Sequence, residues 1–214
     1  MKKGKVIRMQ TAGEERANMI SHGIGGVLAA AAAVPLVGRG ILSGSAKATF
    51  SLLAYGLSLV MLYTVSAVYH GTKDPEKKRI MRIMDHCSIF LLILGTYIPM
   101  SLLVIGGKTG WRLFLTNTAL AVIGITLNAI SLERFDKVCL LLYALMGWLA
   151  VVAMKAILAA LPPLGMALLV GGGVAYTAGI LFYKSKKHYM HFVWHLFVLS
   201  GSVLQYCCVA LYCV

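Results

Sequence analysis

The sequence predicts an all-α protein, a polytopic seven-transmembrane helix bundle with a cytoplasmic N-terminus and an extracytoplasmic C-terminus. Three observations predict it. The 214 residues are 59% hydrophobic and only 13% charged, where an ordinary soluble domain carries about 25% charged residues. The mean hydropathy is +0.82. Apolar stretches of about 20 residues, the length that spans a bilayer core, recur along the chain with short basic segments between them.

Those basic segments decide what the net charge of +13 means. Nucleic acid is excluded as the partner, because the Lys and Arg residues sit in short loops between spans, where they set topology. Cys87, Cys139, Cys207, Cys208 and Cys213 show no CxxC pairing and lie in or beside apolar spans. They read as small buried hydrophobes, with no disulfide framework.

In chain order, residues 1–17 read as a basic cytoplasmic lead (Lys2, Lys3, Lys5, Arg8, Arg16), and 18–214 as a single seven-helix transmembrane domain. Span 1 covers about 18–38 and is expected to end near Pro35 and Gly38. Its Ala-x-Ala patterns resemble a signal peptide, but polar Asn18, Ser21 and His22 lead into it and six more spans follow. Span 2 covers about 49–70, and a charged loop from Gly71 to Arg82 leads to span 3, about 84–105. There Gly95-Thr-Tyr-Ile-Pro99 permits a bend. Spans 4 and 5 cover about 111–131 and 137–158. Span 6 covers about 164–183, with Gly171-Gly-Gly173 as a close-packing point. Span 7 covers about 189–211.

Fifteen Lys and Arg residues fall on one side of this arrangement: five in the lead, five between spans 2 and 3, two between 4 and 5, three between 6 and 7. Five (Arg39, Lys47, Lys108, Arg112, Lys155) fall on the other. The richer side is cytoplasmic.

With that orientation, Asn18, His22, Ser66, His70, Asp85, His86, His191 and His195 all fall in one layer near the cytoplasmic face. Ionisable groups inside spans are costly and tend to mark function. His191 and His195, at i and i+4, stand one turn apart on one helix face and can grip one metal ion. His70 is the candidate third ligand, giving the three protein ligands of an open catalytic zinc site. Asp85 is the only candidate carboxylate, placed to take a proton from water. Ser66, one turn before His70, can hydrogen-bond water or a substrate carbonyl. Plainer readings exist for each. The His191–His195 pair could sit at the headgroup boundary, His70 or Asp85 could cap a helix end, and Ser66 could pack helices together. His22, Asn18 and His86 read as supporting residues. Asp85 and His86 are separated by about 100° of helix and cannot face one point.

Four motifs, Glu15-x-x-Asn18-x-x-x-His22-Gly, Ser66-x-x-x-His70, Asp85-His86 followed by Gly95-Thr-Tyr-Ile-Pro99, and His191-x-x-x-His195, together resemble the bacterial hemolysin III family. That family is similar to the progestin and adiponectin receptors and, more distantly, to alkaline ceramidases. The resemblance spans nearly the whole chain. It implies a seven-helix fold with an inward N-terminus and Zn²⁺ held by His70, His191 and His195, accompanied by Asp85 and Ser66. The leading functional expectation is a metal-dependent hydrolase of lipid amide or ester bonds in a bacterial plasma membrane, with a membrane lipid as substrate or ligand. The alternatives are a receptor-like or lipid-homeostasis protein with structural zinc, and a cytolysin or pore-former.

Overall fold

The computed structural model describes residues 10–213, and within them the chain is helical without strands. Lys2, Lys3, Lys5 and Arg8 of the expected lead lie outside the described residues. Among the described residues, six helical segments are long and apolar enough to cross a membrane.

The first helix, α1 (Ala12–Leu42), starts ahead of the expected span, so residues 12–17 form its first turns. The cause is local: Thr11 and Glu14 form a reciprocal capping box. The helix also runs on past Pro35 and Gly38 to Leu42. It turns through Gly44, at φ +66°, into α2 (Ala46–Gly71), capped by Ser45. Helix α3 (Pro75–Pro99) begins within the expected charged loop, because Asp74 caps it and Pro75 fits the first helical turn. Beyond Pro99 the helix widens to a π-helical Met100–Ile105, at the position where a bend was expected.

Helix α4 (Gly107–Trp148) is interrupted at Ser131, whose backbone is extended. Asn128 Nδ2 donates to Tyr143 Oη at 3.2 Å. Residues 15 apart on an unbroken helix would stand roughly 22 Å apart. The chain therefore folds back at Ser131, and the Ser131 hydroxyl accepts from the Arg134 N–H to cap the second arm. The second arm does not run unbroken to residue 158 as expected. It tightens to a 3₁₀ turn at Leu149–Ala153 before α5 (Met154–Ala160). Tyr97 supplies the reason: its hydroxyl donates to Gly147 O at 3.0 Å and accepts from Ala150 N–H at 2.8 Å, entering the backbone ladder. Helices α6 (Pro163–Tyr183) and α7 (Met190–Tyr212) complete the bundle.

Neighbouring helices pack in the order α3, α2, α1, α7, α6, with α4 against α3. Helices α4 and α6 meet only lightly. Gly172 of the three-glycine run is the close approach, its α-carbon lying against the Gln205 amide, while Gly173 faces open space. Large apolar side chains such as Val34, Leu42, Val152 and Leu181 remain exposed on the bundle's flanks. That is the surface a lipid solvent covers and water does not.

Candidate metal centre

The start of α1, the end of α2, the start of α3 and the start of α7 converge at one end of the bundle. The last turns of α2 carry Ser66 and His70. Helix α7 begins after Tyr189, a left-handed residue at φ +61°, which turns the chain so that His191 and His195 point inward from its first turns. One ligand atom from each of His70, His191 and His195 can be chosen so that all lie within 4.8 Å of one another. The ring centroids are 5.2 Å (His70–His191), 5.1 Å (His70–His195) and 4.8 Å (His191–His195) apart.

The hydrogen-bond inventory tests whether these rings suit a metal. Nε2 of all three is buried without a partner. A buried polar atom left unpaired costs about 1–3 kcal/mol, and a cation held among the three rings would satisfy all three. The opposite ring nitrogens of two ligands are held. His70 Nδ1 lies 2.7 Å from Glu15 Oε2, and His195 Nδ1 lies 3.3 Å from Ser21 Oγ. With the proton on Nδ1, the Nε2 lone pair is free to bind. The triad fits a metal ion.

The other expected residues gather around it. His22 stacks on His195 with ring centroids 3.5 Å apart. Asn18 is fully buried, donates Nδ2 to Gln10 Oε1 at 2.5 Å, and leaves Oδ1 without a partner. Asp85 and Ser66 are buried, and both face the same cavity. His86 Nδ1 lies 2.9 Å from the Arg82 carbonyl oxygen. The same nitrogen approaches Asp85 Oδ2 to 3.9 Å, so the two side chains are nearer than their 100° separation implied.

From Asp85, Ser66 and His22 a cavity of about 160 Å³ runs between α3, the second arm of α4, α6 and α7, reaching Trp148 and Gln205. Its walls are mostly apolar, with Leu62, Ile89, Leu92 and Val198 among them. It lies where α4 and α6 separate, bridged there by Trp148 Nε1 donating to Thr177 Oγ1 at 3.0 Å.

Comparison with known proteins places the chain in a family. Residues 10–206 match the family described as haemolysin-III related. The chain belongs to that family. It is 39% identical to hemolysin-3 of Bacillus cereus over 210 residues, covering 97% of this chain and 96% of that protein. It is likewise 39% identical to the hemolysin-3 homolog of Bacillus subtilis (strain 168) over 207 residues, covering 96% and 97%. A more distant likeness, 29% over 168 residues, links it to the human monocyte to macrophage differentiation factor, covering 71% of this chain and 66% of that protein. This haemolysin-III family chain is a multi-pass membrane protein with a buried histidine triad able to hold a metal ion.

Sequence reasoning placed none of Glu15, Ser21 and Lys78 at the candidate site. Glu15 stood in a quoted motif, but a carboxylate in a first helical turn is ordinarily read as a favourable charge at the helix dipole. The packing of α1 against α2, α3 and α7 brings Glu15 and Ser21 to the histidine rings and Lys78 to Glu15.

Proposed function

We propose that this protein is a zinc-dependent hydrolase of lipid amide or ester bonds. It crosses a bacterial plasma membrane seven times, with each arm of α4 one crossing and the N-terminus inside, and works on the inner leaflet. The observation that carries the reading is the cavity: apolar for most of its length, with the Ser66–Asp85 pair at the end where the histidines gather. An acyl chain suits the walls, and the scissile carbonyl would then stand at the polar end.

A zinc ion, when bound, polarises a carbonyl and makes water more acidic. Asp85 accepts the proton of the attacking water and returns it to the departing amine or alcohol as the carbonyl–heteroatom bond breaks. Ser66 can donate to the carbonyl oxygen.

The test pairs metal content with lipid turnover. His70→Ala, His191→Ala and His195→Ala should each lose most of about one zinc per chain, since two ligands are too few for tight binding. Asp85→Asn should keep zinc while release of fatty acid falls by roughly 10²-fold or more. Full metal content in all three alanine variants removes the metal centre. Wild-type protein with zinc but no release from any amide or ester lipid removes the hydrolase.

In that second outcome the receptor-like reading with structural zinc takes its place. What supports it is the bracing of the triad by hydrogen bonds from α1, which would join helices distant in sequence. A cytolytic reading draws only on the name carried by the Bacillus relatives.

A further inference from the structure

The polar groups on the first three turns of α1 are directed at the two helices that bear the triad. Glu15 and Glu14 are adjacent in the chain and diverge. Glu15 Oε2 takes the Nδ1–H of His70 at 2.7 Å, at the end of α2. Glu14 Oε1 takes the backbone N–H of Tyr189 at 2.8 Å, two residues before His191. Glu14 Oε2 lies 3.5 Å from His188 Nδ1. Two turns further on, Ser21 Oγ lies 3.3 Å from His195 Nδ1. One short stretch of α1 therefore contacts a ring nitrogen of two ligands and the backbone at the start of the helix bearing the third.

We propose that Glu15 and Ser21 are positioning residues for the metal centre, with Glu15 the stronger. The inference rests on the metal-binding reading of the triad. A carboxylate on Nδ1–H fixes the tautomer, holds the ring plane and makes Nε2 a better donor. A hydroxyl does the same more weakly, being uncharged. Glu15 has a second partner, Lys78 Nζ, 3.0 Å from Oε1. Lys78 also reaches the Tyr69 and Thr72 carbonyl oxygens at 3.3 Å each, tying the start of α3 to the end of α2. Glu15 thus has an orienting contact with a ligand and a bracing contact with a neighbouring helix, and the two can be separated by mutation.

The experiment uses full-length protein in detergent, stripped of metal and titrated with Zn²⁺ and Co²⁺ against a chromophoric chelator. Glu15→Gln should weaken zinc binding by roughly 10- to 100-fold, the usual effect of removing such a partner. It should also shift the visible bands of bound Co²⁺, because the His70 ring is no longer held in the same way. Ser21→Ala should weaken binding by less and shift the cobalt bands through His195. Lys78→Met, which removes only the brace, should leave affinity within about threefold, as for an ion pair that keeps part of its surface in solvent. Glu15→Gln with wild-type affinity and an unchanged cobalt spectrum overturns the proposal. So does an equal loss in Lys78→Met, which would make Glu15 a structural brace alone. Should Glu15→Gln fail to fold, an unchanged cobalt spectrum in Ser21→Ala overturns it instead. A wild-type chain that takes up no metal defeats the metal-binding reading and this proposal together, whereas zinc-loaded wild type with unaffected variants defeats this proposal alone.

Discussion

His22 stands beside the histidine triad and outside the group of three able to hold a metal ion. Both its ring nitrogens are buried without partners, and its ring lies within 10° of parallel to that of His195. The edge of Tyr63 meets it from another side, with centroids 5.1 Å apart. Stacked rings hold each other's planes, so His22 adds shape to the support that Ser21 gives His195 by hydrogen bonding. The triad that closes to within 4.8 Å omits it. His22→Phe keeps the flat ring and removes both nitrogens. Metal content of the purified variant, measured by mass spectrometry, should match wild type, and His195→Ala should lose most of its metal. If His22→Phe is stripped as thoroughly as His195→Ala, the ion has four histidine ligands and the centre is closed. The sequence carried the residues of the cluster because helical spacing and basic loops together predict depth, and depth brought His70, Asp85, His191 and His195 into one layer. It could not carry Glu15 and Ser21 as partners of those rings, since depth says nothing about which helices are neighbours. That α1 lies beside both α2 and α7 is a property of the packed bundle.

At the scale of elements, hydropathy located the spans but not the helices. Apolar length reports the hydrocarbon region, whereas backbone hydrogen bonding continues into water wherever a cap starts it. The Asp74–Pro75 start of α3 lies about three turns ahead of the apolar stretch for that reason. The fold-back in α4 depends on a tighter fit. Phe90 is fully buried, packs on Tyr143 with centroids 4.3 Å apart, and fills the place where a side chain at Gly124 would stand. Glycine at 124 lets the first arm of α4 approach α3 while the second arm closes over the same ring. Gly124→Ala puts a methyl into Phe90, and overpacking of this kind costs about 1–3 kcal/mol. Thermal melting in detergent should show a midpoint several degrees below wild type. Adding Phe90→Leu to Gly124→Ala should recover part of that loss, because the two positions share one volume. An additive double variant would mean that the methyl is accommodated elsewhere.

For the whole molecule, the topology turns on how many times α4 crosses. The polar ends of α1, α2, α3 and α7 meet at the metal centre, so the chain must return to that end between α3 and α7. Arg82 Nη1 lies 3.1 Å from Glu133 Oε1, which puts the Ser131 break beside the early turns of α3 and therefore near the same end. The first arm of α4 has then come back to that end. The second arm must leave again for Tyr97, on the far half of α3, to reach Gly147 and Ala150. Two arms of opposite direction support the proposed seven crossings, an odd count that would put the termini on opposite sides. The charge pattern supplies the sign. Arg16, Lys73, Lys77, Lys78, Arg79, Arg82, Arg134, Lys137, Lys184, Lys186 and Lys187 stand at the ends of elements that meet on the metal-centre side, and that side should be cytoplasmic. Alkaline phosphatase fused after Val214 should therefore be active in a bacterial host, and a green fluorescent protein fused there should be dark. A reporter inserted between Ser131 and Arg134 should show the reverse. A fluorescent C-terminal fusion with a fluorescent insertion at 131–134 would leave the break in place while cancelling one crossing elsewhere. A C-terminal fusion that is cytoplasmic while the 131–134 insertion is exported would turn the whole bundle over. It would then place the histidine triad, and any lipid it acts on, at the outer leaflet.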